Sequence, residues 1–136
     1  MIRITSQPID VNELLDAVSH PGAGAVDIFV GTTRDNTGGK RVVKLDFEAY
    51  EPMAIKEIQK IVDRASQLWT ILNYAVVHRV GLVEIGQKAV VIAVATPHRE
   101  DAFLACKFII DELKKTVPIW KKERFEDGEV WVSAHP

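Results

Sequence analysis

The chain has 136 residues, 47% of them hydrophobic and 26% charged, with a formal net charge of −2 at pH 7. This composition excludes a disordered chain and predicts one domain, residues 1–136. No apolar run could span a bilayer and no signal-peptide core follows Met1, so we expect a cytoplasmic protein with no membrane partner. One cysteine and four histidines without ligand spacing predict no metal site and no cofactor.

The first third of the chain is predicted to form strands on either side of a short helix. Ile2 to Thr5 predicts a strand, and Asp10 is a plausible N-cap for the helix that follows. Ala25 to Thr33 and Val42 to Ala49 predict two more strands, joined by a polar turn at residues 35–39. We therefore predict that these two strands form a hairpin.

Two amphipathic helices dominate the rest. Apolar residues recur at spacings of three and four from Glu51 to Trp69 and again from Arg99 to Thr116, where Pro118 ends the second helix. Between them, Ile71 to Val80 and Ala89 to Thr96 predict a pair of strands.

The last two strands, Ile119 to Phe125 and Val130 to Ser133, flank an Asp-Gly turn and predict a second hairpin. Strands mostly in hairpins with helices between them predict an α+β fold. We expect an antiparallel or mixed sheet with helices packed on one face.

Adjacent lysines in the helix from Arg99 to Thr116 differ in predicted environment. Ala102, Phe103, Cys106, Ile109, Ile110 and Leu113 form one apolar arc on a helical wheel. Lys114 lies at its edge, whereas Lys115 points to solvent. The ordinary interpretation of Lys114 is a stem covering apolar surface with its charge in water. The other interpretation is a charge held beside a binding pocket.

The extended segment after Pro118 favours the second interpretation. Strand alternation directs Lys121 and Glu123 to the face opposite Trp120 and Lys122, so Lys121 can face Lys114. Two converging ammonium groups would bind a phosphate and suit proton transfer.

Two further clusters could bind an anion. His98 and Arg99 stand at the start of a helix, where unpaired N–H groups favour negative charge, but they could also be ordinary surface residues. The run 31–34 offers a close-packing glycine, the hydroxyls of Thr32 and Thr33, and the Arg34 fork, without matching a P-loop.

Other reactive residue types have structural interpretations. Cys106 lies in the centre of an apolar helix face, where a thiol is usually an inert core residue. His78 and Arg79, within a predicted strand, and His20, before a proline, are expected to be structural or surface residues.

The set of motifs and its spacing resemble the catalytic, large subunit of molybdopterin synthase over nearly the whole chain. The motifs are Gly31-x-x-Arg34, His78-Arg79-x-Gly81, His98-Arg99 with Ala102-Phe103, Leu113-Lys114, Pro118-Ile119-Trp120-Lys121-Lys122-Glu123, and Trp131.

The resemblance implies an α/β hammerhead fold and sulfur transfer in molybdenum cofactor biosynthesis. Cyclic pyranopterin monophosphate (precursor Z), a pterin phosphate, would be converted to the molybdopterin dithiolene. The sulfur would come from the C-terminal Gly-Gly thiocarboxylate of a small ubiquitin-like sulfur-carrier subunit. A homodimer of the large subunit would lie within a heterotetramer.

The resemblance also implies site residues. Lys114 and Lys121 would be catalytic. Substrate-binding residues would be Thr32, Thr33, Arg34, His98, Arg99, Lys122 and Glu123.

Two rival functions use the basic segment between Lys114 and Arg124. A non-catalytic phosphoanion or nucleotide-binding module would need no partner. An RNA-binding domain is disfavoured by a pI near 6.1 and by the lack of an aromatic-rich RNA-binding strand, so we expect no nucleic-acid partner.

Overall fold

The computed structural model describes residues 1–133. Its elements are β1 (Ile2–Thr5), α1 (Val11–Ala17), β2 (Ala25–Thr32), β3 (Asn36–Thr37), β4 (Lys40–Ala49), α2 (Glu51–Leu68), β5 (Asn73–Arg79), β6 (Gly81–Val83), β7 (Lys88–Thr96), α3 (Arg99–Thr116), β8 (Ile119–Phe125) and β9 (Val130–Ser133). The predicted α+β class is confirmed, and the ends of α2 and α3 agree with the predicted ends to within one residue. None of the helices in this range has the length and apolar character needed to cross a bilayer.

The strands form two sheets. The first has the order β1-β5-β7-β2, with β1 parallel to β5 and the other neighbours antiparallel. The second has the order β3-β4-β8-β9, with β6 also paired to β4, and is antiparallel throughout. The predicted pairing of β5 with β7 and the β8–β9 hairpin are both confirmed.

The predicted hairpin between β2 and β4 is wrong. β2 pairs with β7 in the first sheet, whereas β4 pairs with β8 in the second. The polar turn does reverse the chain, but only two residues before it, Asn36 and Thr37, pair with the start of β4. A turn signal specifies a local reversal, while the edge that a long strand joins depends on distant residues.

Helices cover both faces of the first sheet, so the prediction of one covered face is also wrong. α1 packs Leu14 on one face together with its C-cap residue Val18, and α2 and α3 pack on the other. Every position of β7 from Ala89 to Thr96 is buried, as expected for a strand covered on both sides.

α3 buries a slightly different arc from the predicted one. Cys106, Ile109 and Leu113 are buried as expected, but Phe103 is 58% exposed and Ala105 is buried instead. The buried face is therefore turned away from Phe103, and the last turn of α3 presents Lys114 at its border.

Candidate active site

A cavity of about 150 Å³ lies where the two sheets meet the C-terminal end of α3. Its walls come from six strands or adjoining segments and from α3: Phe29, Gly31, Thr32, Thr33, Arg34, Thr37, Leu45, Phe47, His78, Ala89, Val90, Ile110, Leu113, Lys114, Lys121 and Glu123. Of the nine residues predicted for the site, this cavity brings together six: Lys114, Lys121, Thr32, Thr33, Arg34 and Glu123.

The neighbouring lysines of α3 are both exposed, but they differ in what they contact. Lys114 lines the cavity, whereas Lys115 is 70% exposed and its ammonium lies 3.3 Å from the Glu112 carboxylate. Within residues 1–133, Lys114 has no acidic partner at ion-pair distance. Its charge is therefore available to a ligand in the cavity.

β8 places one lysine and one carboxylate on the inward side, as alternation predicted. Lys121 and Glu123 line the cavity, and their charged groups are 3.8 Å apart. Glu123 is buried, and its second oxygen accepts a hydrogen bond from the Thr37 hydroxyl at 2.5 Å. The Glu123 carboxylate thus positions the Lys121 ammonium by an ion pair, and the hydrogen bond from Thr37 fixes the carboxylate.

Lys122 lies on the opposite face of β8. Its side chain is 50% exposed, and its ammonium lies 3.4 Å from a carboxylate oxygen of Glu48 on β4. The structure therefore does not bring Lys122 into the cavity. This agrees with strand alternation and differs from the substrate-binding role that the family resemblance implied.

The segment after β2 forms one rim of the cavity. Gly31 is required there, because a Cβ at this position would lie 2.6 Å from a methyl carbon of Val90. Thr33 donates its hydroxyl proton to the Glu84 carbonyl at 2.5 Å, and its backbone N–H donates to the Gln87 carbonyl. Thr33 therefore connects the rim to the β6–β7 turn by two hydrogen bonds, and neither of its two donors is available to a ligand.

Thr32 and Arg34 are the exposed members of this rim. Arg34 has no carboxylate within ion-pair distance among the described residues. Its planar fork can therefore bind both oxygens of a phosphate or carboxylate.

His98 and Arg99 lie far from this cavity in the same chain. His98 is the N-cap residue of α3 and makes no side-chain cap hydrogen bond, and Arg99 begins the helix. At 1.5 Å per residue, Arg99 and Lys114 are about 22 Å apart along the axis. One copy of the chain does not bring these two residues to the cavity.

His78 is a cavity residue that the sequence interpretation missed as part of the site. Its side chain is fully buried, and its ring meets Phe47 edge-on at 5.3 Å between centroids. Nδ1 lies 2.8 Å from the Arg79 carbonyl oxygen, and burial lowers the pKa of this imidazole to about 4. The motif His78-Arg79-x-Gly81 is part of the family resemblance, but a histidine within an apolar strand does not by itself separate a cavity wall from a core position.

Cys106 is buried in the core, as expected. Its thiol lies 3.8 Å from the Ile92 carbonyl oxygen. Burial, followed by the nearby Asp27 carboxylate, raises the pKa of this thiol to about 12. The thiol is therefore protonated at neutral pH and is a poor nucleophile.

The cavity combines positive charge with apolar walls. Arg34, Lys114 and Lys121 supply three cations, and Glu123 is the one carboxylate among the described wall residues. Phe29, Leu45 and Phe47 provide surface for a flat ring. Such a site can hold an anionic ring compound and stabilise negative charge that develops during a reaction.

Comparison with known proteins points to one family. Residues 4–116 match the family described as MoaE protein. The molybdopterin synthase catalytic subunit of Halalkalibacterium halodurans is 47% identical over 129 residues, covering 95% of this chain and 83% of that protein.

Two solved structures share the fold. The crystal structure of molybdopterin synthase from Staphylococcus aureus superposes with a TM-score of 0.91 at 39% identity, covering 97% of this chain and 96% of that one. A complex of subunits 1 and 2 of molybdopterin-converting factor from Helicobacter pylori superposes at 0.79 with 25% identity, covering 99% and 93%. From the family match, the sequence identity and the shared fold, this chain belongs to the MoaE protein family.

Proposed function

We propose that this chain is the catalytic subunit of a cytoplasmic molybdopterin synthase, which converts cyclic pyranopterin monophosphate (precursor Z) to the molybdopterin dithiolene. The observation that carries this proposal is the meeting of Lys114 from α3 and Lys121 from β8 in one cavity with Arg34. The relatives that bear the synthase name support the same activity.

Each cation has a distinct part in the proposed reaction. Arg34 binds the cyclic phosphate through its fork. Lys114 and Lys121 stabilise negative charge as sulfur attacks the substrate side chain and the phosphate ring opens, and their ammonium groups donate protons to the oxygens that leave. Thr32 contacts the substrate at the rim, and Glu123 positions Lys121.

The sulfur comes from a partner in this proposal. Cys106 is buried and protonated, so it does not supply a sulfur nucleophile. A small ubiquitin-like subunit inserts its C-terminal Gly-Gly tail into the cavity, and the thiocarboxylate sulfur at the tip bonds to a substrate carbon. Water then cleaves the acyl–sulfur bond, so the sulfur stays on the substrate and the tail leaves as a carboxylate. A second thiocarboxylated subunit repeats the step for the second sulfur. The Helicobacter pylori complex of two subunits supports a protein partner of this kind.

His98 and Arg99 remain proposed substrate-binding residues, under one condition. Because they lie about 22 Å along α3 from Lys114, a second copy of the chain must supply them to the cavity. The homodimer within a heterotetramer, which the family resemblance implies, provides such a copy.

Reconstitution tests the proposal directly. The purified chain is mixed with thiocarboxylated small subunit and cyclic pyranopterin monophosphate, and the product is identified by mass spectrometry. We expect the dithiolene, with two sulfur atoms added per molecule. A phosphoanion-binding module would bind the substrate and leave its mass unchanged, and that result would contradict the proposed function.

A further inference from the structure

The cavity contains a buried polar atom that the proposed mechanism does not use, Nε2 of His78. The other nitrogen of the same imidazole, Nδ1, lies 2.8 Å from the Arg79 carbonyl oxygen. A carbonyl only accepts, so Nδ1 carries the proton of the neutral ring. Nε2 therefore bears a lone pair and acts as an acceptor.

This acceptor has no donor within residues 1–133, and less than 1 Å² of it is open to solvent. Folded proteins pair nearly all their buried polar atoms, because an unpaired one destabilises the folded state. Burial lowers the pKa of the imidazole to about 4, so the ring stays neutral at physiological pH. An unmet acceptor is therefore built into the wall of the cavity.

The placement of the ring directs it to the cavity side of the first sheet. Val76 and His78 share one face of β5, and Val76 packs in the core beneath α2 and α3. The edge-on contact with Phe47, another wall residue, places the imidazole where the cavity meets the second sheet.

The other buried polar groups of the described wall already have partners. Thr33 gives its proton to the Glu84 carbonyl, and the Glu123 carboxylate is shared by Thr37 and Lys121. Most of the remaining polar groups are cations. The cavity thus offers many donors for an anion and one buried acceptor for a ligand N–H.

We propose that Nε2 of His78 accepts a hydrogen bond from an N–H group of the substrate's fused heterocycle. This inference rests on the proposed function and assigns an orientation to the substrate: the phosphate lies toward Arg34 and the lysines, and a nitrogen-bearing edge of the ring lies against His78. Since less than 1 Å² of Nε2 is open to solvent, a ligand reaches it only when a neighbouring wall side chain moves, and Phe47 packs directly on the imidazole.

The test uses the reconstituted complex with the variant His78→Phe, which keeps a ring of similar size and removes the acceptor. We expect substrate affinity to fall by about tenfold, the usual worth of one hydrogen bond. The melting temperature of the free protein should be unchanged or higher, because the unpaired acceptor is gone. Affinity for the small subunit should not change.

Each other outcome overturns the inference. Unchanged substrate affinity in a folded His78→Phe complex means that Nε2 contacts no substrate. A lower melting temperature with unchanged affinity gives His78 a structural role. A loss of small-subunit affinity instead of substrate affinity means that the acceptor serves the N–H groups of the partner's tail.

A second measurement avoids the variant. In wild-type protein labelled with ¹⁵N-histidine, the Nε2 resonance of His78 should move when substrate is added and stay in place when inorganic phosphate is added. If the Nε2 chemical shift does not change when substrate is added, the inference is wrong, whatever the affinity of the His78→Phe variant. If the wild-type complex still forms the dithiolene, only this inference fails; if it neither binds nor converts the substrate, the proposed function fails.

Discussion

The Lys121 ammonium lies 3.8 Å from the Glu123 carboxylate, and both side chains point inward from β8. The other inward positions of this strand, Ile119 and Phe125, are apolar and buried. A charged pair in the middle of such a face is costly unless the charges meet partners or a ligand. Its position beside Lys114 makes the pair part of the cavity wall rather than of the core.

Glu123→Gln should lower the turnover number by roughly tenfold, because the amide keeps a hydrogen bond with Thr37 but no longer attracts the Lys121 ammonium. Steady-state kinetics of the reconstituted complex measures the effect. Glu126→Gln, which changes an exposed carboxylate in the β8–β9 turn, is the control and should behave as wild type. Wild-type turnover in a folded Glu123→Gln complex would contradict the positioning role.

Lys114→Ala should nearly abolish dithiolene formation, while Lys115→Ala should be close to wild type. Removing a preorganised charge typically costs roughly 3 kcal/mol in the transition state, or about a hundredfold in rate. Removing the exposed lysine beside Glu112 should hardly alter the rate. Lys121→Ala should also be impaired. Turnover and melting temperature of all three variants decide the matter, and equal rates for the Lys114 and Lys115 variants would refute the site.

Cys106→Ala should retain activity. The thiol is buried in the core and its pKa is about 12, so it is not ionised at neutral pH. Loss of the sulfur atom leaves a small cavity, which should lower the melting temperature by a few degrees. Native wild-type protein should also resist alkylation by iodoacetamide. Lost turnover in a folded Cys106→Ala complex would give the thiol a chemical role.

His78 should make the protein sensitive to acid. Burial lowers the pKa of its imidazole from 6.5 to about 4 in the folded state. Between pH 6.5 and pH 4 the imidazole is therefore protonated in the unfolded chain and neutral in the folded chain. The free energy of unfolding is therefore not reduced by this group above pH 6.5. Below that it falls as the pH drops toward 4, by at most about 1.4 kcal/mol per pH unit.

Urea unfolding between pH 7 and pH 4 measures this loss. The curve of His78→Phe should be flatter than that of wild type, and the control His98→Gln, at an exposed imidazole, should follow wild type. Parallel curves for wild type and His78→Phe would contradict the buried neutral ring.

Arg99→Ala should raise the KM for substrate without lowering the melting temperature, since Arg99 is exposed and has no ion-pair partner among the described residues. Because the same-chain cavity is about 22 Å away along α3, a mixture of Arg99→Ala and Lys114→Ala copies should be more active than either variant alone at a substrate concentration below the KM of Arg99→Ala. Unchanged substrate affinity in Arg99→Ala and His98→Ala would make both ordinary surface residues.

Local patterns were sufficient for most of the secondary structure and for part of the site. The 3.6-residue period predicted α2 and α3, and strand alternation placed Lys121 and Glu123 on one face of β8. Lys114 and Lys115 separated on the helical wheel as they do in the structure. These features depend only on backbone geometry, which repeats along each element whatever lies beside it.

Tertiary structure decided what depends on residues far apart in the chain. β2 and β4 follow one another yet belong to different sheets, and α1 lies on the opposite face of the first sheet from α2 and α3. His78 became a cavity wall because Phe47 from the second sheet packs on it. The sequence by itself determined the faces of each helix and strand, since period and alternation are local. Which faces met to enclose the cavity was set by long-range packing, which no single segment encodes.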